Sequence, residues 1–113
     1  MMDWLTIEQG EAPLIVSIPH AGTDIPEDVS ASLRSLPLAL HDADYHVHHL
    51  YEFAAGLGAT IVRTTISRTV IDVNRNPSGQ SLYPGQATTA LCPETVFDGT
   101  SLYEPRNEPG ADE

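Results

Sequence analysis

The chain contains little cysteine and few basic residues, and both shortages exclude classes of protein. Its single cysteine, Cys92, excludes an internal disulfide framework and indicates a reducing compartment, for which the cytoplasm is the expectation. Five basic residues stand against 16 acidic ones, so the formal net charge is −11. Such a surface repels phosphate backbones and anionic lipids, and we therefore expect neither nucleic acid nor a membrane as partner.

Several sequence signals are also missing. No apolar run approaches the length of a membrane span, and the acidic N-terminal segment lacks the basic region of a secretory signal. Neither a glycine-rich phosphate-binding motif nor a G-x-S-x-G nucleophile motif is present, so those chemistries are set aside. The 113 residues suit one domain, and their 41% hydrophobic content is enough to pack one core.

The order of the predicted strands and helices indicates an α/β fold. Three segments rich in apolar or β-branched residues are predicted strands: 14–18, 59–66 and 69–73. Helices are predicted over 26–33 and 42–57. A strand, a helix and a strand in this order form a crossover between parallel strands. Residues 1–12 are expected to be an irregular lead-in, and 76–108 a long loop.

The predicted helix over 42–57 has apolar residues at spacings of three and four, which indicates one buried stripe. The stripe consists of Val47, Leu50, Tyr51, Ala54 and Leu57. Asp44 lies at its edge and is expected to face inward, or else to be a first-turn carboxylate that stabilises the helix N-terminus. Asp42 is the expected N-cap. The remaining histidines of the segment, His46, His48 and His49, are expected to be solvated surface.

His20 directly follows the first predicted strand, within the sequence PHAG. In open α/β sheets ligands bind in the crevice beyond the carboxyl ends of the strands, so this histidine is a candidate site residue. The alternative is a histidine whose ring hydrogen-bonds a nearby carbonyl in a turn. Gly22 permits close backbone approach. Cys92 is interpreted as structural, with a thiol nucleophile as the lesser alternative.

Arginines are concentrated near the other predicted strand ends. Three of the five basic residues fall within thirteen positions, at 63, 68 and 75. Arg68, Asn74 and Arg75 lie at the two ends of the segment 69–73, where two guanidiniums can bind carboxylates bidentately. The alternative is that these arginines pair with local acids such as Asp72.

Four segments together resemble the N-formylglutamate amidohydrolase family: SIPHAGTDIP, HDADYHVHHLYEFAAGLGAT, SRTVIDVNRNP and SLYPGQATTALCPETVFDGTSLY. They lie in family order between about residues 13 and 109. The resemblance implies a metal-dependent hydrolase with a three-layer α/β/α fold and a mostly parallel sheet, similar to zinc exopeptidases. It also implies cleavage of N-formyl-L-glutamate to formate and L-glutamate in histidine degradation.

The resemblance further implies a metal site. His20 corresponds to the first ligand and Asp44 is the candidate for the second, with Zn²⁺ as the expected ion and another divalent metal as the alternative. In aspartoacylase-like relatives the acidic ligand follows the histidine closely, so Asp24 and Glu27 remain alternatives. At His48 the family pattern has an acidic residue.

The same resemblance implies that Arg68, Asn74 and Arg75 hold the substrate carboxylates. Family members are roughly twice as long as this chain or longer, so residues 1–113 are expected to form the N-terminal part of one incomplete domain. The third metal ligand and the catalytic acid or base are then expected elsewhere, and no catalytic residue is assigned. The alternative is a fragment that binds a metal or an anion without catalysis.

Overall fold

A computed structural model describes residues 3–78 and 90–109 of the chain. Within these residues, three strands form one sheet: β1 (Leu5–Glu8), β2 (Ile15–Ile18) and β3 (Thr60–Thr64). The strand order is β1-β3-β2, so β3 is central. β2 pairs with β3 in parallel and β1 pairs with it antiparallel, which makes the described sheet mixed.

The central position of β3 agrees with its sequence, because TIVRT is rich in the β-branched residues that suit a paired strand. Val16 lies opposite Ile61 in the parallel pairing, and Ile7 lies opposite Val62 in the antiparallel one. β2 and β3 confirm the predicted strands 14–18 and 59–66 to within two residues at each end. β1 was missed: its sequence LTIE has no long apolar run, and it pairs with the rest of the sheet along one edge only.

The predicted strand over 69–73 is wrong, since these residues form turns and irregular backbone. Thr69 donates its hydroxyl to the carbonyl of Ala39, and Asp72 is completely buried. Both polar side chains therefore contact groups outside the sheet, and the backbone of this segment does not pair as a strand.

The described part of the chain has four short helices, which connect and cover the strands: α1 (Glu27–Ser30), α2 (Leu36–Ala39), α3 (Val47–Leu50) and α4 (Glu52–Gly56). α1 lies within the predicted helix over 26–33. Ser35 is the N-cap of α2, and its hydroxyl accepts a hydrogen bond from the backbone N–H of Leu38 at 3.4 Å. In the part of the chain that is described, no helix is long and apolar enough to cross a membrane.

The continuous helix predicted over 42–57 is wrong. His46, immediately before α3, has a left-handed backbone with φ of 62°, so a helix from Asp42 cannot run through it. Tyr51 separates α3 from α4. The predicted stripe is likewise broken, because Ala54 is buried whereas Leu50 and Leu57 are each 68% exposed. Once the helix is interrupted, spacings of three and four no longer define one face.

Buried apolar side chains among the described residues form two clusters. The first packs α4 against the sheet and contains Ile18, Ala21, Ala54, Ala59 and Ile61. The second joins the α1–α2 region to the end of the described chain and contains Leu33, Ala39, Val96, Leu102 and Tyr103. Isolated bridges pair Leu33 with Tyr103 and Thr95 with Ser101. The loop predicted over 76–108 therefore supplies core residues, while its positions 79–89 lie outside the described residues.

Candidate functional site

The segments that follow β2 and β3 are held side by side. The backbone N–H of Asp24 donates to Thr65 O at 2.9 Å, and the N–H of Ser67 donates to Asp24 O at 2.9 Å. Gly22 permits this approach, because a Cβ at that position would lie 2.5 Å from the carbonyl oxygen of Ile66. The parallel pairing thus extends past both strands and brings residues 19–24 next to residues 65–75.

Asp72 is the centre of the resulting polar cluster. It is completely buried, and its Oδ1 lies 2.7 Å from Nε2 of His20 and 3.0 Å from the backbone N–H of Asn74. Its Oδ2 accepts from Nη2 of Arg68 at 3.4 Å and lies 3.8 Å from Nη2 of Arg75. One carboxylate therefore joins the candidate metal ligand to both candidate carboxylate-binding arginines.

The surroundings of Asp72 favour its ionised form. Burial on its own would raise the pKa of this carboxyl, but the hydrogen bonds from His20 and from the backbone of Asn74 lower it. The positive charge of Arg75 acts in the same direction, and the net effect holds the pKa of Asp72 below its usual range. The cluster therefore contains a buried, paired negative charge.

Asp44 approaches the other side of the same histidine. Its backbone N–H donates to His20 O at 2.8 Å, and its Oδ2 lies 3.9 Å from His20 Nδ1. The side chain is 49% exposed, so it does not face the core as the helical pattern predicted. Asp44 also precedes α3, which rules out the alternative of a first-turn carboxylate. A tertiary hydrogen bond, not helical phase, brings it to His20.

Asp42 is not a helix N-cap, contrary to the prediction. Its Oδ2 accepts the backbone N–H of Phe97 at 2.8 Å, and its Oδ1 lies 3.0 Å from Nδ1 of His41. The segment before α3 is therefore tied to residues 90–109. The backbone oxygen of Asp42 accepts a hydrogen bond from Arg68 Nη1 at 3.5 Å, so Asp42 also contacts a site residue.

The donor set at His20 suits a divalent metal ion. Zinc binds histidine nitrogen and carboxylate oxygen at about 2.0–2.2 Å, so two ligand atoms on one ion lie up to about 4 Å apart. The 3.9 Å between His20 Nδ1 and Asp44 Oδ2 falls within that reach. Metal-binding histidines commonly donate their other N–H to a carboxylate, the position that Asp72 occupies. Within residues 3–78 and 90–109, no three potential ligands converge.

The alternative acids lie elsewhere. Glu27 is in the first turn of α1, and Asp24 bonds to the continuation of β3 through its backbone. Among the described residues, the ion pairs of His20 are with Asp44 and Asp72, and none involves Asp24 or Glu27.

Arg68 and Arg75 form the pairs with Asp72 that the sequence offered as the alternative interpretation. Arg68 is buried, and its guanidinium carbon lies 5.0 Å from the centroid of the Phe97 ring. Arg75 is half-buried, and its Nη1 donates to the carbonyl of Asn74 at 2.9 Å. A guanidinium has five N–H donors, so pairing with Asp72 is compatible with binding a further carboxylate.

The histidines of α3 are not all on the surface. His46 and His49 are exposed, but His48 is half-buried, and its Nδ1 has no hydrogen-bond partner among the described residues. Burial lowers the pKa of His48, and the positive charges of His49, Arg63 and His46 lower it further, against the opposing effect of Glu52. The prediction of a solvated group is wrong for His48.

Asp72 is the site residue that sequence reasoning undervalued. It was considered only as a local partner for the arginines, because the segment TVIDV was interpreted as a strand. A signal was present: an acid between apolar residues, followed two and three positions later by Asn74 and Arg75, has no role on a strand that is buried on both faces. Such an acid needs buried partners.

Comparison with known proteins identifies the family of the chain. The chain belongs to the N-formylglutamate amidohydrolase family, whose model matches residues 12–113. Proteins called N-formylglutamate deformylase are similar to it: one from Pseudomonas aeruginosa is 42% identical over 113 residues, and one from Pseudomonas putida is 41% identical over 109. The resemblance stated from the sequence motifs is thus confirmed.

A solved structure is similar as well. The crystal structure of N-formylglutamate amidohydrolase from Ralstonia eutropha JMP134 matches 91% of this chain with a TM-score of 0.67 and 26% sequence identity. This likeness agrees with the α/β fold class. The chain covers 42% of that structure, and 42% and 40% of the two Pseudomonas relatives. It therefore spans less than half the length of the proteins it matches.

Proposed function

We propose that this chain is the N-terminal part of a metal-dependent enzyme that hydrolyses N-formyl-L-glutamate to formate and L-glutamate. The observation that carries the proposal is the cluster around Asp72, which joins His20 to Arg68 and Arg75 in a chain of the N-formylglutamate amidohydrolase family. Candidate groups for a metal and for a dianionic substrate thus lie within one set of hydrogen bonds and ion pairs.

His20 and Asp44 are the residues that would hold the metal, with Zn²⁺ as the proposed ion. When bound, such an ion polarises a carbonyl group and lowers the pKa of water toward neutrality. A catalytic zinc normally has three protein ligands, so a third is proposed outside the described residues.

Arg68, Asn74 and Arg75 would bind the two carboxylates of the substrate. Guanidiniums bind carboxylates bidentately, which fixes the direction of the substrate as well as its position. In a chain with net charge −11, a pair of arginines at one sheet edge is also a locally attractive place for a dianion. Their proposed role is to orient the formyl group toward the metal ligands.

For the whole protein we further propose the three-layer α/β/α arrangement with a mostly parallel sheet that is similar to zinc exopeptidases. The parallel β2–β3 pairing supports this arrangement. A cytoplasmic enzyme of histidine degradation would suit the single cysteine and the proposed substrate.

The proposal is tested by formate release in a full-length protein that contains this chain. We expect rapid release from N-formyl-L-glutamate and much slower release from N-formyl-L-glutamine, which lacks the side-chain carboxylate but has nearly the same shape. Equal rates with the two substrates would remove the carboxylate-binding role, and no formate from either would overturn the proposed activity.

A second candidate is a fragment that binds a metal or an anion without catalysis. This candidate is favoured because the described part of the chain brings together two candidate metal ligands, His20 and Asp44, and not three. Metal analysis together with the formate assay separates the two functions, since a binding fragment retains its ion and releases no formate.

A further inference from the structure

We propose that Asp72 is a positioning residue that fixes the ring of His20 with the proton on Nε2, so that Nδ1 is the nitrogen presented to a metal. This inference rests on the proposed function and names a residue that acts through its neighbours. Contacts among the described residues support it.

Asp72 Oδ1 lies 2.7 Å from His20 Nε2. An ionised carboxylate only accepts hydrogen bonds, so the ring nitrogen at this distance has to carry the proton. The same Oδ1 also accepts the backbone N–H of Asn74 at 3.0 Å, which holds the carboxylate in place.

The other ring nitrogen of His20 is Nδ1. In a neutral imidazole with the proton on Nε2, Nδ1 has a lone pair and cannot donate. This nitrogen lies 3.9 Å from Oδ2 of Asp44, a second acceptor. Two acceptors that face each other at this distance favour a cation between them, and the backbone hydrogen bond from Asp44 to His20 O keeps them in register.

The two carboxylates differ in burial. The side chain of Asp72 is 0% exposed, whereas that of Asp44 is 49% exposed. Asp44 is therefore accessible to an ion from solvent, and Asp72 acts only through the groups it contacts. Because its Oδ2 also contacts Arg68 and Arg75, the carboxylate that orients the histidine also locates the arginines.

The direct test is the tautomer of His20, measured by ¹⁵N NMR on a metal-free full-length protein that contains the chain, at about pH 9, above the ordinary histidine range. We expect the Nε2–H form. In Asp72→Asn, whose amide can donate to Nε2, we expect a shift toward the Nδ1–H form. The matched control is Asp28→Asn, which changes an exposed carboxylate in the first turn of α1 and should leave the tautomer unchanged.

A wild-type His20 with the proton on Nδ1 would overturn the proposal, as would an unchanged tautomer in a folded Asp72→Asn protein. If Asp72→Asn does not fold, the wild-type spectrum decides, and Asp72→Glu, which retains a carboxylate, is expected to retain the Nε2–H form. These readouts require no turnover, so they are independent of the formate assay.

Metal affinity gives a second readout in a full-length protein that contains the chain. Loss of a carboxylate that orients a metal-binding histidine typically weakens metal affinity by about 10–100-fold. We expect that loss of Zn²⁺ affinity for Asp72→Asn in competition with a chromophoric chelator, and none for Asp28→Asn. Equal affinity in both variants would contradict the positioning role even if formate release were normal.

Discussion

Gly22 packs against the backbone of Ile66 so closely that there is no room for a side chain. A Cβ on Gly22 would lie 2.5 Å from the carbonyl oxygen of Ile66 and 2.5 Å from that of Thr65. Both neighbours are backbone atoms of the segment that continues β3, so neither can rotate away. The contact aligns His20 with the segment that carries Arg68 and Asp72.

We expect Gly22→Ala to destabilise the chain, because the new methyl group forces the two segments apart. Overpacking of this kind costs about 1–3 kcal/mol, which urea denaturation detects as a lower midpoint. The matched control is Gly56→Ala in α4, where a Cβ would meet nothing within 4 Å. That variant should be stabilised by about 0.5–1 kcal/mol, since alanine is the better helix former. Equal stability of the two variants would contradict the close-packing argument.

We expect Arg75→Ala to raise KM for N-formyl-L-glutamate in a full-length protein that contains the chain, while metal content stays intact. A hydrogen bond to a charged group contributes about 1.5–3 kcal/mol, so the increase should be roughly 10–100-fold. Arg34→Ala removes the same charge from an exposed position and serves as the control. An unchanged KM in Arg75→Ala would remove this residue from the substrate site.

We expect Phe97→Ala to weaken the placement of Arg68, whose guanidinium lies over the Phe97 ring. A cation–π contact is worth about 0.5–2 kcal/mol, so both the denaturation midpoint and substrate affinity should fall. Phe53→Ala is the matched control, because Phe53 is 64% exposed, against 57% for Phe97, and lies on α4. If the two variants have the same KM, the ring of Phe97 does not support the site.

We expect the stability of the chain to depend on His48 below neutral pH. The pKa of His48 is lowered in the folded state, mainly by burial, so the unfolded chain binds this proton more readily. The contribution of neutral His48 to the free energy of unfolding is therefore complete above the ordinary histidine pKa of about 6.5. It is lost as the pH falls from there through the folded-state pKa. Denaturation from pH 8 to 5 should show a smaller loss for His48→Gln than for wild type. Identical pH slopes would exclude the effect, and NMR titration of the His48 ring provides the independent control.

We expect the isolated 113-residue chain to release little or no formate. Among the described residues, His20 and Asp44 are the two candidate metal ligands, and a catalytic zinc normally has three protein ligands. Large apolar side chains such as Ile15, Leu50 and Leu57 are also exposed, which indicates uncovered faces. The formate assay on the purified chain checks this, and robust turnover would contradict it.

The sequence predicted the elements whose pattern is local. β2 is a continuous apolar run and β3 is β-branched, and both form strands where expected. β1 was missed because its pairing with β3 comes from a distant part of the chain. The helix over 42–57 failed because the backbone is left-handed at His46, and because Tyr51 interrupts the apolar stripe between α3 and α4.

The part of the candidate site that directly follows the ends of the strands was predictable from the sequence. His20 follows β2, and the segment with the arginines follows β3, so parallel pairing brings them together. The role of Asp72 was not predictable, because it depends on complete burial among partners up to 52 residues away. Asp44 lies 3.9 Å from His20, but the helical argument that selected it does not apply, because Asp44 precedes α3.

The hydrogen bond between His20 and Asp72 spans 52 positions of the chain, and it lies beyond the parallel strands β2 and β3. Contacts so distant in sequence form only after the intervening loop has closed. Unfolded molecules therefore lack this arrangement, and whatever binds to it selects the native population. Occupancy by an ion or a dianion would raise the melting temperature of the protein in proportion to the logarithm of ligand concentration.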